Sequence, residues 1–208
     1  MNKIDYEKLR EEQLKNEALN KKLLLHSCCA PCSSGVIDRL VDFFEVTVYF
    51  YNPNMDSEEE YEKRADEQVR FVSERYGDKV KVVIEKYDKQ EYLNSVVGLE
   101  LEPEGGARCA KCFELRFNRA AEYALENGYD YLTTTLTVSP YKNAKIINEI
   151  GENICKNIPN LKWLYADFKK ANGYLNSIQN SKIYGLYRQE YCGCEFSLMQ
   201  LNKRKGLL

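Results

Sequence analysis

The chain has 208 residues, 44% of them hydrophobic and 30% charged, with a formal net charge of −2. Such a chain is long enough to bury a real core as one soluble domain, and no apolar run approaches the ~18 residues of a membrane span. The near-neutral balance excludes bulk attraction to nucleic acid, so any RNA contact must use a local basic patch. The opening MNKIDYEKLREEQ has no apolar h-region, so no secretory signal and no membrane partner are expected, and the expected location is cytoplasmic. Thiols stay reduced there, and eight cysteines then point to metal or redox chemistry rather than structural disulfides.

Residues 4–22 are charged, lack Gly and Pro, and carry sparse apolar positions (Ile4, Leu9, Leu14, Leu19), the pattern of a helix laid on the domain. Residues 1–21 are therefore read as an N-terminal helical extension and 22–208 as a single α/β catalytic domain. A first strand over 23–26 leads into the loop HSCCAPCSSG, and Val36, Ile37, Leu40 and Val41 then recur at helical spacing. FEVTVYFY (44–51) reads as a second buried strand, with NPN as its terminating loop. Ser57 with Glu60 forms a capping-box pattern ahead of a helix that closes at Gly77.

Residues 80–84 are a third strand and 87–97 a short helix. The stretch 98–108, with Pro103 and Gly105-Gly106, is a loop, and 112–127 a helix. A fourth strand over 129–135, the loop TVSPYKN, a helix marked by Ile146, Ile147, Ile150 and Ile154, and a fifth strand over 162–166 follow. A helix over 172–187, the YCGC loop and a last helix from Ser197 complete the chain. Strands alternating with helices predict a doubly wound, mostly parallel sheet (Rossmann-like or HUP-like) with helices on both faces and an added N-terminal helix. Three cysteine groups would then gather at the carboxyl edge of the strands, where ligands bind in such sheets.

Those groups are Cys28, Cys29 and Cys32; Cys109 and Cys112; and Cys192 and Cys194. A C-x-x-C pair alone suits zinc, an iron–sulfur half-site or a thioredoxin-type disulfide. With one histidine, a Cys₂His₂ zinc site is disfavoured, and seven thiols exceed the four ligands zinc needs. Adjacent Cys28 and Cys29 are expected to point apart, reaching two irons of a cluster more readily than one small ion. A C-G-C disulfide would be strained and easily reduced. An iron–sulfur cluster beside a redox-active or metal-binding pair is the favoured reading; two zinc sites that only hold loops are the alternative. Cys155 continues an isoleucine face and is assigned to the core. His26, at the strand end beside the thiols, is a candidate acid or hydrogen-bonding group. Lys142, Lys169, Lys170, Arg108, Arg116 and Arg188 are surface cations by type, and their closeness to the site loops suggests a phosphate-binding patch.

The set HSCCAPC, YNPN, PEGGARCAKCFELR, TLTVSPYKN, DFKKANGY and LYRQEYCGCEFS, in that order from residue 22 to 197, resembles the cobalamin-independent epoxyqueuosine reductases (QueH). Ala171 stands where a further lysine is expected. The resemblance implies an oxidoreductase that reduces epoxyqueuosine to queuosine at the wobble position of a tRNA anticodon, so the implied partners are that tRNA and an unidentified electron donor. It also implies a [4Fe–4S] cluster on Cys28, Cys29, Cys109 and Cys112, and a redox-active pair at Cys192 and Cys194. An adjacent mononuclear iron is implied as well, with Cys32, Cys192, Cys194 and Asp167 as candidate ligands. Lys142, Lys169, Lys170, Arg188 and Tyr191 are the candidate RNA contacts, Tyr191 as a stacking surface for a flipped-out base.

Two other readings compete. An ATP-dependent tRNA-modifying enzyme of the same fold would need a Gly/Ser-rich pyrophosphate cradle where this chain has CCAPC. A non-enzymatic electron carrier or zinc-stabilised RNA-binding module is the other: a carrier has no need of the extra C-G-C pair, and broad absorbance at ~400 nm would exclude plain zinc.

Overall fold

The computed structural model describes residues 4–17 and 20–207. Strands β1 (Lys21–His26), β2 (Phe44–Phe50), β3 (Lys81–Ile84), β4 (Tyr131–Thr134) and β5 (Lys162–Trp163) form one sheet in the order β3-β2-β1-β4-β5. Every pairing is parallel, with Leu25 of β1 opposite Val48 on one side and Thr133 on the other. A central parallel strand is covered on both faces, which is why Leu23, Leu24 and Leu25 form an unbroken apolar run. The strand order reverses between β1 and β4, so a crevice opens at their carboxyl ends.

Among the described residues the helices are α1 (Tyr6–Glu17), α2 (Ala30–Ser34), α3 (Glu58–Tyr76), α4 (Lys89–Ser95), α5 (Ala107–Glu126), α6 (Ala144–Cys155), α7 (Gly173–Ile183) and α8 (Glu195–Arg204). Leu23 and Leu25 pack with Ala30 of α2, Phe71 and Val72 of α3 and Leu14 of α1. Leu24 faces the other way, onto Phe117 and Ala120 of α5 and Ile147 of α6. Helices therefore cover both faces, as a doubly wound sheet requires. None of them is long and apolar enough to cross a membrane.

The N-terminal helix is described over Tyr6–Glu17; residues 18 and 19, including Leu19, lie outside the described residues, and Lys21 and Lys22 already belong to β1. Gln13 of α1 extends the sheet edge, donating from Nε2 to Trp163 O at 2.9 Å and accepting from Tyr165 N at 3.0 Å. The helix expected over Val36–Val41 is instead α2, which starts inside the cysteine stretch with Pro31 in its first turn and stops at Gly35. A 3-10 turn, Ile37–Arg39, follows, and Val36, Ile37 and Leu40 are buried without a helix. Gly35 explains the stop: a Cβ there would lie 2.6 Å from Gly173 O, so α2 meets α7 through bare backbone. Gly35→Ala should therefore cost about 1–3 kcal/mol of stability, the usual range for overpacking, read as a lowered denaturation midpoint with unchanged slope.

The second departure concerns α5, which begins at Ala107 rather than after Arg108. Its N-cap Gly106 offers no side chain, but Glu102 Oε2 accepts from Ala107 N at 3.1 Å and satisfies a free donor from across the turn. Cys155 lies in the core against the α5–α6 side of the sheet, and burial pushes its thiol up to about 12. Cys155→Ser is expected to stay fully active and to lose ~1–2 kcal/mol if the hydroxyl finds no partner. Inactivity with an unchanged melting transition would contradict this.

Candidate active site

Each of the three thiol groups stands at the start of a helix, rather than free on a loop. Cys29 is the N-cap of α2 with Cys32 in its first turn; Cys109 and Cys112 occupy the first two turns of α5; Cys194 is the N-cap of α8. Main-chain N–H groups at the starts of α5 and α8 reach the sulfurs, but burial holds the Cys109 and Cys112 thiols up all the same. Gly105 N donates to Cys109 Sγ at 3.2 Å, and Ser197 N donates to Cys194 Sγ at 3.4 Å.

Cys28, Cys29 and Cys32 bring their sulfur atoms within 4.8 Å of one another. The expectation that the adjacent pair points apart is wrong: Cys28 Sγ and Cys29 Sγ are 3.8 Å apart. Across the β1–β4 crevice, Thr135 Oγ1 accepts from Cys28 N at 3.3 Å and lies 3.6 Å from Cys28 Sγ.

These thiols and Cys192 line a cavity of about 500 Å³, together with Arg64, Arg116, Lys142, Arg188 and Tyr191. A narrower one of about 30 Å³ is lined by Cys109, Cys112, Cys192, Cys194, Lys142 and Asn54. Cys192, Lys142, Glu104 and Tyr141 line both, so the two cavities adjoin, and the seven thiols of the three groups are divided between their walls. Gly193 makes this possible. Its φ is +112°, and a Cβ would fall 2.6 Å from the Met55 sulfur and 3.1 Å from Arg64 Nη1. Its carbonyl accepts from Asp56 N at 2.8 Å, tying the C-G-C turn to the segment after β2.

The charges are arranged around the sulfurs. Lys142 Nζ is 3.4 Å from Cys192 Sγ. Burial alone would lower the Lys142 pKa, but the neighbouring Cys192 and Cys28 thiolates and Glu104 outweigh it and raise it. A hydrogen bond from Cys194 holds the Cys192 thiol well below its usual range despite burial, with Lys142 and Arg116 assisting; Cys194 correspondingly keeps its proton. In the other group, hydrogen bonds from Cys29 and Cys32 hold Cys28 low, and those two are raised. Desolvation pushes Cys112 up to about 11.

Arg116 is the residue that sequence reasoning misplaced. Arginine on an amphipathic helix reads as surface, yet Arg116 is 1% exposed, and Arg108 is buried as well. Arg116 Nε donates to His26 Nε2 at 3.2 Å, Nη2 donates to Asn52 Oδ1, and Nη1 lies 3.9 Å from Cys112 Sγ. His26 Nε2 lies 3.2 Å from the Tyr51 carbonyl oxygen as well as 3.2 Å from Arg116 Nε, and Nδ1 shares a 2.8 Å hydrogen bond with Thr134 Oγ1. Burial first, and Arg116 second, push His26 down to about 3, so it is neutral. It borders neither cavity and stands behind Arg116, at hydrogen-bond distance from its Nε.

The remaining expected residues divide. Arg188 and Tyr191 border the larger cavity; one face of the Tyr191 ring is covered by the Arg64 guanidinium at 5.5 Å, and its hydroxyl donates to Asp56 Oδ1 at 2.9 Å. Asp167 is ion-paired with Lys169, and Lys170 with Asp5 of the N-terminal segment at 2.9 Å; none of the three borders either cavity. Asn54 carries no signal of its own in the sequence. It is 2% exposed, borders the narrow cavity, and its Oδ1 has no hydrogen-bond partner. The donor set fits a thiophilic metal group: seven thiols, three of them within 4.8 Å, and an orphaned buried acceptor beside the others.

The family model for epoxyqueuosine reductase QueH matches residues 23–200. The chain belongs to the QueH family. The epoxyqueuosine reductase QueH of Staphylococcus epidermidis is 42% identical over 206 residues, which is 95% of this chain and 86% of that protein. That of Streptococcus pyogenes is 41% identical over 94% of this chain and 78% of its own length. The Thermotoga maritima QueH is 33% identical over 88% and 93%. The QueH match spans every element of the thiol site, from β1 to α8, and favours neither the ATP-dependent nor the zinc-module reading.

Proposed function

We propose that the chain is a cytoplasmic oxidoreductase that reduces epoxyqueuosine to queuosine in the wobble position of a tRNA anticodon, its oxygen leaving as water. Family membership supports the reaction, and the meeting of seven thiols around Cys192 is the observation that supports it at the level of residues. On this reading residues 22–208 are the catalytic domain, braced by residues 1–21. Cys28, Cys29, Cys109 and Cys112 would hold a [4Fe–4S] cluster. Cys32, Cys192 and Cys194 are candidates for an adjacent iron; Asp167, engaged by Lys169, is the weakest of the four candidate ligands. Such a group supplies electrons one at a time and a Lewis acid for an epoxide oxygen.

The chain's own residues account for the rest. Oxidation of the Cys192–Cys194 dithiol to a disulfide releases two electrons and two protons, which matches the loss of one oxygen as water. Cys192 is the ionised partner and Cys194 holds its proton, so the pair is poised for thiol–disulfide chemistry. The Lys142 ammonium, beside Cys192, holds a proton where oxyanion charge would develop. An external donor must then restore the dithiol.

The larger cavity suits an extruded nucleobase, with Tyr191 at its wall and Arg188 and Arg204 toward solvent. Arg188→Ala combined with Arg204→Ala should weaken tRNA binding and reduce the salt slope by about 0.7 for each phosphate no longer neutralised. An unchanged slope removes both from the interface. For the reaction itself, the test is nucleoside analysis of epoxyqueuosine-tRNA after incubation with anaerobically reconstituted protein and a low-potential donor. Queuosine is expected; no conversion by iron-loaded protein overturns the proposal.

A further inference from the structure

We propose that Arg116 is the counter-charge of the thiol site and sets the reduction potential of the metal group held there. The proposal rests on reading the thiols as an iron–sulfur site. Other buried arginines are compensated differently. Arg10 is paired with Glu7, Arg64 donates to Glu60 Oε1 at 2.6 Å, and Arg108 ends on main-chain carbonyls at 99–102, outside both cavities. Arg116 has only a neutral imidazole, an amide oxygen and a thiol as partners, and no carboxylate within ion-pair distance among the described residues. A buried cation without an anion is strongly disfavoured. What its guanidinium faces is sulfur: Nη1 lies 3.9 Å from Cys112 Sγ, and Arg116 lines the larger cavity together with Cys28, Cys29, Cys32 and Cys192.

The surroundings hold that charge in place. The His26 ring packs against Nε at 3.2 Å, and Asn52 accepts from Nη2 without cancelling the positive charge. A carboxylate at position 52 would satisfy the same hydrogen bond and neutralise the cation, so the amide keeps the charge directed at the sulfurs. Reduction adds negative charge to a thiolate-bound cluster, and potentials follow net charge and hydrogen bonds to sulfur. A fixed cation with Nη1 at 3.9 Å from Cys112 Sγ therefore favours the reduced form.

The experiment is an EPR-monitored redox titration of anaerobically reconstituted wild type, Arg116→Gln, Arg116→Lys and Asn52→Asp, with iron and sulfide measured on each. Arg116→Gln and Asn52→Asp are expected to take a more negative potential than wild type, and Arg116→Lys to stay near it. Asn52→Asp keeps the guanidinium and α5 but replaces the Asn52 Nδ2 donor to Ser27 O with an oxygen, so its iron and sulfide content is read first, and a metal-replete Asn52→Asp decides the matter if Arg116→Gln fails to load metal. A cluster-replete Asn52→Asp at the wild-type potential overturns the proposal, as does Arg116→Lys shifting as far as Arg116→Gln. Wild type that binds no iron and sulfide would instead overturn the iron–sulfur reading itself.

Discussion

Cys109→Ala protein is expected to carry neither iron nor labile sulfide and to be inactive, while folding normally. Cys109 borders the narrow cavity from the first turn of α5 and accepts a hydrogen bond from Gly105 N, so its sulfur is directed by the backbone rather than by a flexible loop. A [4Fe–4S] cluster needs four thiolates, and the two groups Cys28–Cys29 and Cys109–Cys112 supply that number only together. Losing one removes a quarter of the protein ligands and the charge that balances Arg116 and Lys142. The fold should survive, because α5 is anchored by the buried Phe113, Phe117, Ala120, Ala121 and Ala124, while Cys109 packs only at the margin of that core. Iron and sulfide assays with a thermal melt check this; full metal content in the variant would remove Cys109 from the ligand set.

The opposite pattern is expected at the C-G-C turn. Cys192→Ala and Cys194→Ala should keep the cluster absorbance but lose turnover by on the order of 10³-fold or more, the scale seen when a member of a catalytic unit is removed. The first two cysteine groups already supply four thiols, and the turn carrying Cys192 and Cys194 is held independently. Gly193 O accepts from Asp56 N, and Cys192 N donates to Ser197 Oγ at 3.1 Å. Alkylation after a single turnover distinguishes two roles: a dithiol cycle protects both thiols, whereas iron ligation by one of them does not depend on turnover. Near-normal activity in either variant would deny the pair an essential role.

Much of this architecture was legible because it rests on local rules. Leu23–Leu25 could only be a strand covered on both sides, and alternation of strands with helices required parallel pairing. Parallel pairing in turn put the ends of β1 and β4, with their cysteines and threonines, on one edge. Ser57 caps α3 by accepting from Glu60 N as its spacing foretold, although the Glu60 carboxylate turns to Arg64 instead of closing the box.

What escaped the sequence depended on partners far along the chain. The first turn of α5 is capped by Glu102 across a glycine turn, so the helix begins at Ala107, before both cysteines, rather than at Cys112. α2 is cut short by the close approach of Gly35 to Gly173, a contact between residues well separated in the chain. Arg116 sits on a helix whose other charges are mostly exposed, and only the convergence of Asn52, His26 and Cys112 on its guanidinium reveals that it is buried. Lys169 and Lys170, grouped by sequence with the RNA contacts, are turned toward Asp167 and Asp5 by the fold.

The central claim is that this one thiol site stores the electrons that remove the epoxide oxygen. It is tested most directly by a single turnover. Reconstituted protein, replete in iron and sulfide, is fully reduced, freed of the donor under anaerobic conditions and mixed with less than one equivalent of epoxyqueuosine-tRNA. The account predicts that the tRNA is converted to queuosine-tRNA without any added reductant, with Cys192 and Cys194 required. Unconverted epoxyqueuosine from protein that is metal-replete, reduced and able to bind the tRNA would contradict it.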